Sequence, residues 1–81
     1  IYRQVKVEDF NREEGDRVLL VGYENSDIEL SDVNNETNVQ TATVANGNSD
    51  SLTIYFDLSF AREFDTNFAL RMADFDKVEA S

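Results

Sequence analysis

The sequence predicts an all-β fold, a small barrel of about five strands with one short helical turn. Three observations carry this. Leu52, Ile54, Phe56, Leu58 and Phe60 alternate with Thr53, Tyr55, Asp57 and Ser59, the period of a strand with one buried face. The compact apolar run Arg17–Tyr23 is rich in β-branched residues and bounded by Gly15-Asp16 and Gly22, which favours a buried strand over a helix. Asn46-Gly47-Asn48-Ser49-Asp50-Ser51 is a dense turn signal between two strand-like segments and predicts a hairpin. An oligonucleotide-binding-type barrel, a small β-sandwich and an α+β fold with a C-terminal helix are the competing architectures.

The elements follow in order. Val5 and Val7 alternate with Gln4, Lys6 and Glu8, giving a short lead-in strand. Residues 11–16 form a polar turn in which Gly15 can supply a positive φ. The buried strand 17–23 comes next. From Glu24 to Asn38 the chain is polar, with Ile28, Leu30 and Val33 as isolated anchors. It reads as a long loop holding a short strand at Ile28–Leu30, a kind of segment that often binds partners. Val39–Ala45 is a strand, paired through the turn at 46–51 with Leu52–Phe60, whose even-numbered face is the core side. Residues 61–67 then form a loop, 68–72 a strand, 73–76 a helical turn and 77–80 a short closing strand. A helix competes for the last third, because Phe64, Phe68, Met72, Phe75 and Val78 also fall near helical spacing. Eighty-one residues make one domain, with 1–14 a lead-in and 15–80 the barrel. The chain opens on Ile1 rather than Met, as a trimmed start, a removed leader or an excised domain would.

Composition excludes more than it assigns. There is no Cys, His, Trp or Pro, so disulfide scaffolds, zinc sites built on thiolate or imidazole, and nucleophiles activated by histidine are ruled out. Seventeen acids against seven bases give a net charge of −10. Neutralising phosphates needs clustered Lys and Arg, so nucleic acid and anionic membranes are not expected partners. No stretch approaches the length of a membrane span.

Gly15-Asp16-Arg17-Val18, the long loop, the hairpin of 39–45 with 52–60, and an aromatic-led strand followed by one helical turn together resemble an SH3-like small barrel. Ile54-Tyr55-Phe56-Asp57 and Thr66-Asn67-Phe68-Ala69 are similar to small photosynthetic accessory subunits of that class, the E subunit of photosystem I and the variable chain of ferredoxin–thioredoxin reductase. The resemblance spans about residues 15–80 and implies a barrel that works as an accessory subunit. The photosystem subunit docks acidic carriers through basic residues and this chain is acidic, so no functional residue carries over.

Asp32-x-Asn34-x-Glu36 copies the first ligand positions of a calcium loop, but Thr37 and Thr43 stand where glycine and a bidentate glutamate are needed. Paired acids such as Glu13-Glu14, or Asp74 and Asp76, arise by chance in so acidic a chain and give no catalytic motif. No enzyme activity and no cofactor are expected. Phe60, Phe64 and Phe68 read as core. Tyr23, Ile28, Leu30 and Tyr55 are the candidate contact residues, Tyr55 because it falls on the outer face of its strand. The leading expectation is a non-enzymatic domain acting through a protein partner or self-association, as an accessory or structural subunit. An acidic inhibitor that imitates nucleic acid, or a calcium-dependent module using the loop Asp27–Glu36, are the alternatives.

Overall fold

The computed structural model describes residues 2–45 and 51–79. Among the described residues six strands are formed: β1 (Tyr2–Val7), β2 (Val18–Val21), β3 (Asp27–Leu30), β4 (Val39–Ala45), β5 (Ser51–Asp57) and β6 (Phe75–Val78). One short helix, α1 (Ser59–Phe64), follows β5, and single 3-10 turns lie at Arg12–Glu14 and Met72–Asp74. The fold is all-β and barrel-like but open. A four-stranded sheet has the order β1-β5-β4-β3, and a two-stranded sheet pairs β2 with β6.

β4 and β5 form the predicted antiparallel hairpin, from Ala45↔Ser51 to Val39↔Asp57. Its turn at 46–50 lies outside the described residues. The even-numbered positions of both strands are buried, Ala42, Val44, Leu52, Ile54 and Phe56 among them, so the period-two pattern of β5 gives its correct core face and β4, two-sided in polarity, buries the same side. β1 runs parallel to β5 with Val5 beside Ile54, and β3 runs antiparallel to β4 with Ile28 beside Val44. Phe56 is the hub of the core. Phe10 and Phe75 meet it edge-on at 6.0 and 5.9 Å, the arrangement favoured by ring quadrupoles. Phe75 thereby lays the β2–β6 pair against the large sheet.

Four expectations need correction. The strand expected to reach Phe60 ends at Asp57. The Asp57 carboxylate accepts the backbone N–H of Ser59 at 3.0 Å and its hydroxyl at 2.6 Å, a local turn that outcompetes the ladder and turns the chain into α1. Phe60 and Phe64 are consequently 45% and 74% exposed rather than core, while Phe68 is buried as expected. The run at 17–23 is a strand only over Val18–Val21, and Leu19 and Val21 are 62% and 59% exposed; only its Leu20 side is covered. Residues 68–71 form no strand among the described residues. Their backbone is satisfied by side chains instead: Gln40 Oε1 accepts the N–H of Leu70 at 2.7 Å, Arg62 donates to the carbonyl of Phe68 at 3.0 Å, and Arg12 to that of Ala69 at 2.9 Å. The helical turn then falls at Met72–Asp74 and the closing strand at Phe75–Val78.

Candidate functional site

The surface that could contact a partner is set by three polar clamps. The first joins the early turn to the end of the chain. Asn11 caps the Arg12–Glu14 turn by accepting the N–H of Glu13 at 3.0 Å, and Gly15 closes it at φ 89°, the left-handed conformation that glycine adopts without penalty. Arg12 is thus aimed at Asp74, whose carboxylate it grips with two donors at 2.7 and 2.6 Å. Its guanidinium also lies 4.9 Å from the centre of the Phe68 ring. Asp74 is 2% exposed and accepts a third bond from the N–H of Arg71 at 2.9 Å. The Arg12 hydrogen bonds, with the nearby positive charge, hold the Asp74 carboxyl below its ordinary range against the opposing effect of burial. This is the fork geometry for which arginine is suited.

In the second clamp, Gln40 is buried on the inner face of β4 and donates to the carbonyl of Ser31 at 2.9 Å while holding Leu70. The third is Arg62 of α1, which reaches Asn35 and Asn38 at 3.0 and 3.2 Å and so ties the long loop to the helix. These bonds fix the outer side of α1 and of the β2–β6 pair, where the unexplained apolar residues lie.

Two apolar surfaces result. On the β2–β6 pair, Leu19 and Val21 share one face with Asp76 and Val78. Leu19, Val21 and Val78 are all exposed. The Arg17–Asp76 fork, with donors at 2.6 and 2.9 Å, borders them, and Arg17 keeps the exposed Asp76 carboxyl below its ordinary range. On α1, Phe60 and Phe64 stack edge-on at 5.4 Å. With Asn11, Glu13 and Glu14 they line a shallow recess. An apolar side chain left in water forgoes roughly 1.5–3 kcal/mol of burial, so clustered exposed apolar residues mark contact surfaces more often than scattered ones do.

The sequence-chosen contact residues do not share one surface. Tyr23, Ile28 and Leu30 are half-buried and pack against the core. Tyr55 stands on the opposite face of the four-stranded sheet, beside Lys6 and Thr41. The exposed apolar residues that sequence reasoning did not single out are Leu19, Val21, Phe60, Phe64 and Val78. For Phe60 and Phe64 the signal was available in Asp57-Leu58-Ser59, where an acid two residues before a serine favours a turn.

The loop Asp27–Glu36 is engaged in its own turn: Asn34 Oδ1 accepts the N–H of Glu36 at 2.9 Å. Among the described residues no three carboxylates gather as a cation cage requires. No helix there is long and apolar enough to cross a membrane. No family model, no curated protein and no solved structure matches the chain.

Proposed function

We propose that this chain is a non-enzymatic contact domain, an accessory or structural subunit of a larger assembly. The observation that supports it best is the exposed Leu19–Val21–Val78 face on a chain of net charge −10. So acidic a domain has ample polar surface for solubility, and three apolar side chains aligned on one two-stranded sheet are the core of an interface with a polar rim at Arg17 and Asp76. Phe60 and Phe64 supply a second, aromatic contact point, the residue type enriched at interface centres.

The test is sedimentation of the protein in an extract of its source. Wild type is expected to travel with larger species and L19D/V21D as a free 9.2 kDa chain. F64D, at the most exposed of the apolar side chains, serves as the second variant if the first unfolds. A wild-type chain that travels alone in the extract overturns the reading.

A further inference from the structure

The four-stranded sheet has two open edges, and they are opposite in charge. β1 at one edge reads Tyr-Arg-Gln-Val-Lys-Val and β3 at the other Asp-Ile-Glu-Leu. Among the described residues neither edge is paired on its outer side. Arg3 through Lys6 are exposed, as are Asp27 and Glu29. Natural edges are often blunted by charge, but protection of that kind works by the same sign meeting itself. Here the edges differ in sign.

The register makes the match specific. Val5 and Val7 lie on the inner face beside Ile54 and Phe56, and Lys6 on the outer face beside Tyr55. Ile28 and Leu30 lie on the same inner face, and Glu29 on the same outer face, beside Thr43. β1 and β3 are both parallel in direction to β5. A copy repeated along the sheet therefore presents its β1 parallel to the β3 of the first. Setting Val5 of the neighbouring copy beside Ile28 puts its Lys6 beside Glu29 and its Val7 beside Leu30. Val5, which is 46% exposed in the single chain, gains the cover it lacks. The two-fold alternatives lack this match: β1 against β1 offers no acid to Arg3 or Lys6, and β3 against β3 sets Asp27 opposite Glu29 when Ile28 meets Ile28. Like charges directly opposite destabilise a ladder.

We propose that copies of this chain associate head to tail, β1 of one adding to β3 of the next and extending the sheet. Such a heterologous contact generates a ring or an open filament, joined by main-chain hydrogen bonds and one charge pair per junction. A ladder of four residues belongs to the small, transient class below about 1,200 Å², so assembly grows with concentration. This inference goes beyond the contact-domain reading, because the β1 and β3 edges belong to a different sheet from the Leu19–Val21–Val78 face.

Charge swapping tests it, with light scattering on the purified chain from micromolar to sub-millimolar concentration. Wild type is expected to rise above its monomer mass. K6E and E29K each place like charges at every junction and are expected to shift assembly to roughly tenfold higher concentration or abolish it. An equimolar mixture of the two restores it. The β1 edge of K6E then meets the β3 edge of E29K, and the β1 edge of E29K meets the β3 edge of K6E, so opposite charges face each other at every junction. E29K makes the chain less acidic and K6E more so, so an effect of net charge alone would move the two in opposite directions. A monomeric wild type across the whole range overturns the proposal, as does a mixture no better than its components. If wild type is monomeric when purified yet travels with larger species in extract, self-assembly fails and the contact-domain reading stands.

Discussion

Asp74 is the most deeply buried polar residue among the described residues. Its carboxylate is almost fully buried and takes three hydrogen bonds from Arg12 and Arg71, which converts a costly buried charge into a clamp. Removing one partner of such a pair leaves the other uncompensated, so R12A is expected to cost about 3 kcal/mol of stability by urea denaturation. The pH dependence has a definite sign. Arg12 depresses the Asp74 pKa in the folded state, so the folded chain binds that proton less readily than the unfolded one. The stability contributed is complete above the unfolded-state value near 4 and is lost as pH falls through the folded value. D74N lacks the titration, so its stability should fall less steeply than wild type between about pH 5 and about pH 2.5. Equal slopes for the two proteins would show that acid sensitivity lies elsewhere. Asp57 and Asp76 are also depressed, but they titrate in both proteins and cancel in the comparison.

Among the elements, β2 gives the sharpest contrast, because adjacent leucines have opposite fates. Leu20 is buried on the side shared with Phe75, and Leu19 is open to solvent. L20A should therefore cost about 2–5 kcal/mol, while L19T should stay within about 0.5 kcal/mol in the isolated chain. Parallel urea curves decide it, and equal costs would mean that the face carrying Leu19 is covered. The same contrast shows what the sequence could disclose. Period two in β5 specified its buried face, while β4, two-sided in polarity, was legible as a strand but not in the face it buries. An apolar run such as Val18–Val21 has no alternation, so it reads as buried on both sides when it covers only one. Residues 68–70 were illegible for another reason. Their backbone groups bond to Gln40, Arg62 and Arg12, far away in the chain, and no local period records a bond to a distant side chain. The exposure of Phe60 and Phe64 was equally hidden, since their outward turn depends on Asp57 stopping a strand whose alternation would otherwise continue.

For the molecule as a whole, the charge of −10 opposes compactness while the local ion pairs favour it, and salt separates the two. The Arg17–Asp76 and Lys6–Glu8 pairs are exposed, where such contacts contribute little and are readily screened. The Arg12–Asp74 pair is mostly buried and is screened far less. Self-repulsion among seventeen acids spread along the whole chain acts over distances comparable with the Debye length, so it is the larger quantity that added salt removes. Raising NaCl from about 10 mM to about 0.5 M should therefore raise the melting temperature rather than lower it. Each kcal/mol of relieved repulsion corresponds to roughly 4–8 °C in a domain of this size. The measurement belongs on dilute E29K, whose β3 edge no longer matches β1 and whose Lys6–Glu8 and Arg17–Asp76 pairs are intact, so that association adds nothing to the melting temperature. A fall with salt would mean that the surface pairs outweigh the acid excess, and that the acids are arranged in compensated networks instead of repelling one another.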